Sequence, residues 1–175
     1  MGQLRHIFYA QPYLLVFLEM VTVYIVWTFL MLLLHGKPGR IVAVVGAALS
    51  MALIVNLTII GRSEGGEIML IPFITFFRAF TNPGYLRSAL MNIALFIPLG
   101  LTLPYVLPDR IRRKLPVTVL AALLLSIAVE AVQLLFALGN SEMDDILMNT
   151  FGAFLGATSW SVCVYTWNHY DSWLR

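Results

Sequence analysis

Polar residues are sparse along this chain, and the apolar residues between them form runs too long for strands. Five runs, 12–34, 41–60, 89–107, 116–138 and 145–167, are long enough to cross about 30 Å of hydrocarbon. Inside lipid a single segment satisfies its own backbone hydrogen bonds only as a helix, so each run predicts a transmembrane helix. Pro38, Pro104, Pro108 and Pro116 fall at or near run ends, as helix breakers should. The expected fold is an all-α integral membrane protein, a single domain over 1–175 built as a bundle of about five transmembrane helices. The first run is too long for a signal-peptide core and no small-residue cleavage site follows it, which predicts a retained membrane helix.

The connection 61–88 breaks the pattern. It carries Arg62, Glu64 and Glu67, then the apolar Ile71-Pro72-Phe73, then Phe76, Phe77 and Arg78. It is too short and too charged to span twice, and its aromatics suit the headgroup region. An interfacial or re-entrant segment between the second and third helices is expected.

Composition agrees with the runs. Hydrophobic residues make up 60% of the chain and charged residues 11%, against roughly 25% charged in soluble domains. Mean hydropathy is +0.86. The net charge of +2 is small and its basic residues sit in short loops, which argues against a nucleic-acid partner. The single cysteine, Cys163, gives no redox signal and reads as a small core residue. Lys37, Arg40, Arg110, Arg112, Arg113, Lys114 and Arg175 would share one membrane side; Arg5, Arg62, Arg78 and Arg87 would share the other. The basic-rich side is expected to be cytoplasmic, which puts the N-terminus outside and the C-terminus inside a multi-pass cell-membrane protein.

Against this background the polar residues within spans stand out. Ser126, Glu130 and Gln133 are spaced to form one helical stripe, as are Asp145, Asn149, Gly152 and Gly156. The short turn between the fourth and fifth spans makes these helices antiparallel neighbours. Asn92 enters the third span from the same side. Asn92, Glu130, Gln133, Asp145 and Asn149 are thus expected in one half of the membrane. A carboxylate at bilayer depth costs on the order of 2.5–3.5 kcal/mol on insertion scales, so Glu130 calls for a partner or a task. Two readings stay open: a structural lock of Glu130, Gln133 and Asn149, or a functional site. Gly152 and Gly156 form a small-xxx-small pair that would let the fifth span approach a neighbour such as the fourth. Glu142, Asp144 and Asp145 open a helix, where acids complement the dipole. Three acids in four positions exceed what a cap needs and would suit a divalent cation or cationic group, although the metal ligands cannot be read from spacing.

Other chemistry is not signalled. His6, His35 and His169 are far apart, and no HExxH, Gly-rich phosphate loop or GxSxG elbow occurs. Any catalysis would rest on carboxylates as general acid and base, with Glu130, Asp144 and Asp145 as the candidate catalytic residues.

Three stretches carry a resemblance. They are Leu70-Ile71-Pro72-Phe73, then Asn92-Ile-Ala-Leu-Phe96-Ile-Pro98-Leu-Gly100, and then Glu130-x-x-Gln133 followed by Glu142-Met-Asp144-Asp145-x-x-x-Asn149-x-x-Gly152-x-x-x-Gly156. Over about 71–156 the chain resembles the VanZ-like family. The resemblance implies that Asn92, Glu130, Gln133, Asp144, Asp145, Asn149 and Gly152 are the family's characteristic positions. It implies a cell-envelope role tied to low-level teicoplanin resistance in Gram-positive bacteria, and it brings no reaction or cofactor. One departure lies in the turn: the family often shows an Arg shortly before the acids, where this chain has Gly139 and Asn140.

The expected function is that of a small envelope protein with an outward-facing polar pocket. Asn92, Glu130, Gln133, Asp144, Asp145 and Asn149 would bind a membrane lipid, a lipid-linked cell-wall precursor or a lipoglycopeptide. The alternative is an integral membrane enzyme acting on a lipid-linked headgroup through carboxylate acid/base chemistry and a possible divalent cation. A proton-coupled carrier is a weaker third reading, because an odd number of spans without an inverted repeat counts against it.

Overall fold

A computed structural model describes residues 40–60, 71–79 and 82–173, together with 22, 25, 26, 62, 66, 68 and 69. The first expected span, 12–34, lies outside the described residues apart from positions 22, 25 and 26, which are helical.

Helix α1 (Arg40–Val55) runs directly into a π-helical turn, Asn56–Ile60. A two-residue strand β1 (Ile68–Met69) and a short helix α2 (Ile74–Ala79) follow, then helix α3 (Pro83–Val106). A seven-residue loop leads to α4 (Lys114–Phe136), a second two-residue strand β2 (Ser141–Glu142) and α5 (Met143–Trp173). Among the described residues four segments are long and apolar enough to cross a membrane: Ile41–Ile60, Gly84–Val106, Lys114–Phe136 and Met143–Thr166. They correspond to the second to fifth expected spans. α3 begins six residues earlier than the apolar run 89–107 predicts, because the start signal is local. The Asn82 side chain accepts from the Gly84 amide at 2.9 Å, and Pro83 sits in the first turn, where its missing N–H is harmless.

α3 is the central helix. Of its apolar window 56% is buried within the protein, against 22% for α1 and 28% for α4. It packs chiefly on α5 and also on α1, while α4 lies on α5. Ile54, Leu95, Phe96, Leu99, Ala122, Val129 and Ala153 form the apolar core where the four helices meet. The outer faces of the spans remain apolar and exposed, as at Ile41, Leu124 and Leu135, which is what lipid-facing surfaces require. Pro98 and Pro104 lie inside α3 rather than beyond its end. Each removes one backbone bond, which a membrane helix tolerates when neighbours supply compensation. The carbonyls they free are those of Ala94 and Gly100, four residues earlier; the Thr102 hydroxyl bonds a different one, the Pro98 carbonyl, at 2.8 Å.

Gly152 and Gly156 face α3, not α4. A Cβ at Gly152 would strike the Ile93 carbonyl, and one at Gly156 would strike the backbone of Ile97 and Leu101. Gly100 returns the contact against the Ala153 carbonyl. The pair therefore brings α5 against the central helix at backbone distance.

Candidate functional site

The turn between α4 and α5 is built around Glu130. α4 ends with Ala137 in the left-handed conformation, and the amides of Ala137 and Leu138 both return to the Gln133 carbonyl. The chain then reverses through Gly139, whose φ of 69° suits glycine. The reversal brings Ser141 and Glu142 back over the last turns of α4. The Ser141 hydroxyl and the Glu142 amide each donate to Glu130 Oε2 at 3.0 Å. Glu130, Glu142, Asp144 and Asp145 are 6, 6, 1 and 4% exposed, so four carboxylates are buried in one region.

Burial of this much negative charge demands donors, and the segment after α1 supplies several. β1 pairs in parallel with β2, Ile68 opposite Ser141 and Met69 opposite Glu142. Arg62 places one nitrogen 3.2 Å from the Asn140 carbonyl and another 3.8 Å from Asp145 Oδ2. The Phe73 amide donates to Asp144 Oδ1 at 2.5 Å, and Phe73 itself has a left-handed φ of 65°, uncommon for a bulky residue. Glu130 and Glu142 lie within electrostatic reach of Asp145, and so does Arg62. The connection between the second and third spans is thus clasped to the acidic turn at several points. Farther along it, Arg78 joins α2 to α3 by reaching the Tyr85 hydroxyl at 3.1 Å and lying over its ring.

The expected polar residues occupy one half of the bundle, but they do not form one network. Asn149 Nδ2 donates to Ser126 Oγ at 2.9 Å, which ties α5 to α4. Gln133 Nε2 donates to the Thr58 carbonyl at 2.8 Å, which ties α4 to the π-helical turn. Glu130 bonds to neither of these side chains, so a mutual lock of Glu130, Gln133 and Asn149 is not what forms. Asn92 Nδ2, Gln133 Oε1 and Asn149 Oδ1 are buried without a hydrogen-bond partner among the described residues. Among the described residues no group of three His, Cys, Asp or Glu side chains is arranged to hold a metal ion. The acids instead turn to separate donors on the surrounding turn and loop.

Arg62 and Ser141 are the site members that spacing did not single out. Glu142 was legible as one of three acids in four positions, but not as a backbone donor to Glu130. Arg62 lies 78 residues from Asn140 in sequence, and no local periodicity links residues so far apart. Arg62 nevertheless stands against Gly139 and Asn140 in space, where a Cβ on Gly139 would meet its side chain. A cation thus reaches the turn from another segment.

No solved structure matches the chain. Protein VanZ of Enterococcus faecium is 36% identical over 77 residues, 44% of this chain and 46% of that protein, so the chain spans less than half the length of this curated relative. A family profile described as VanZ/LLP1 matches residues 20–164. Four apolar helices are compatible with a multi-pass membrane protein. With most of its length matched by that profile, this chain belongs to the VanZ/LLP1 family.

Proposed function

We propose that this protein is a cell-envelope membrane protein that lowers susceptibility to teicoplanin-type glycopeptides. In this reading its acidic cluster engages a lipid-linked cell-wall precursor or a lipoglycopeptide from the outer leaflet. The observation that carries it is the buried cluster itself: Glu130, Glu142, Asp144 and Asp145 gathered at one end of the bundle and clasped by Arg62 and the Phe73 amide. Intramembrane carboxylates are costly, and a functional site is the default reading for them. Family membership supports the envelope role. The reading includes a fifth span at 12–34, an interfacial placement of the connection between the second and third spans, and an outward-facing N-terminus and acidic turn. The ligand's polar part would meet Asn92, Gln133 and Asn149, which retain hydrogen-bonding atoms unpaired among the described residues.

The test is teicoplanin susceptibility of a Gram-positive host expressing the wild type beside Glu130→Ala at matched membrane levels. Protection by the wild type and its loss in the variant is the expected result. No protection by either chain would remove the glycopeptide role. A second reading, an enzyme acting on a lipid-linked headgroup, has one observation on its side: the buried Ser141 hydroxyl lies on Glu130. It predicts that Glu130→Gln yields a folded protein that no longer turns over lipid-linked precursors in reconstituted vesicles. Equal turnover by both chains rules it out.

A further inference from the structure

At the end of the bundle opposite the acidic turn, the α3–α4 loop presents three arginines in four positions. Arg110, Arg112 and Arg113 are all exposed. Among the described residues none of their guanidinium groups has a side-chain or carbonyl partner. Their neighbour Lys114 behaves differently. Its ammonium bonds the Leu107 carbonyl and Asp109, both at 3.1 Å. That pair closes the loop, and the Ile111 amide closes a turn on the Pro108 carbonyl at 3.0 Å. The loop is therefore closed by Lys114 and Asp109, and among the described residues the three arginines take no part in closing it.

The loop joins, across seven residues, two helices long and apolar enough to cross a membrane, and side chains on so short a link between two spans would stand at the bilayer surface. A set of unpaired guanidiniums on a short closed loop there fits phosphate oxygens, which arginine binds in bidentate fashion. Basic clusters beside a transmembrane helix attract anionic lipid. We propose that Arg110, Arg112 and Arg113 form a docking surface for the headgroup phosphates of anionic phospholipids in the leaflet that this end faces. The inference is independent of the function proposed for the acidic cluster and of which leaflet it is. A purely topological role for the arginines needs only positive charge. Lipid recognition needs the guanidinium fork as well.

The experiment uses the full chain in neutral detergent, offered an equimolar mixture of phosphatidylglycerol and phosphatidylcholine, with retained lipid measured by native mass spectrometry. The wild type is expected to favour phosphatidylglycerol by about tenfold or more, given the attraction per basic residue near a membrane surface. Arg110→Gln/Arg112→Gln/Arg113→Gln should bring the ratio near unity. The corresponding triple Lys variant, which keeps the charge, should lose several-fold. The wild-type preference should collapse at high salt. Should the triple Gln variant not fold, the Lys variant and the salt series still decide. An unchanged preference in the Lys variant, or one that survives high salt, overturns the proposal. So does loss of the preference in millimolar inorganic phosphate at constant ionic strength, because the loop would then read free phosphate rather than lipid.

Discussion

Glu130 bears on both stability and chemistry, and the two can be separated by substitution. Its Oε2 holds the Ser141 hydroxyl and the Glu142 amide. Glu130→Ala would leave two buried donors unpaired, at about 1–3 kcal/mol each. Glu130→Gln keeps an acceptor oxygen and the side-chain shape, so its thermal unfolding in detergent should fall well short of the alanine variant's loss. Equal losses would show that the carboxylate charge, not its hydrogen bonds, holds the turn. Arg62 gives a second prediction at this scale. Arg62→Ala leaves Asp145 among other carboxylates, and breaking a buried pair costs on the order of 3–5 kcal/mol. The 3.8 Å separation and the 26% exposure of the Arg62 side chain reduce that to about 1–3 kcal/mol. In the double variant Arg62→Ala/Asp145→Asn most of the loss should be recovered. Additive losses in a double-mutant cycle would mean that the two groups are not coupled.

The helices are held by two kinds of contact. Gly152 and Gly156 let the α5 backbone meet α3, whereas α4 is fastened by polar bonds, Asn149 to Ser126 and Gln133 to Thr58. The difference predicts different mutational costs. Gly156→Leu has nowhere to put its side chain except into the backbone of Ile97 and Leu101, so it should abolish the folded state or lower its melting temperature far more than Gln133→Leu. Gln133→Leu removes one net hydrogen bond, about 1 kcal/mol, and leaves the Thr58 carbonyl to its π-helical surroundings. Comparable melting temperatures for the two variants would overturn the assignment of the glycines to the α3–α5 contact. The π-helical turn follows α1 directly, and its Thr58 carbonyl, near the end of the helix where carbonyls lack intrahelical partners, accepts from Gln133 of α4.

At the scale of the whole molecule the charges separate along the bundle. The acidic turn lies at one end, and the loop with Arg110, Arg112 and Arg113 at the other. The excess of Lys and Arg on the loop side predicts that this side faces the cytoplasm. In a Cys163→Ala background, a cysteine at Asn140 should react with an impermeant maleimide added to intact cells, and one at Arg112 only after permeabilisation. The reverse pattern would invert the orientation and place the acidic cluster toward the cytoplasm, away from any extracellular glycopeptide.

The sequence by itself determined the helical, membrane-compatible class, four of the candidate spans and the half of the bundle that holds the polar residues. Those follow from run length and from the alternation of helix direction, which are properties of order along the chain. The position of Glu130 one helix from an acidic turn was legible for the same reason. The partners were not. Glu130 takes Ser141 and Glu142 because the chain reverses at Gly139, and Asp145 takes Arg62 because the connection after α1 folds back over the turn. The glycine stripe was visible, yet spacing shows only that one face of α5 is small. The tertiary structure decided that this face meets α3, since backbone approach depends on which helix sits at the centre. Contacts between residues so distant in sequence follow from packing in three dimensions, and no one-dimensional period encodes them.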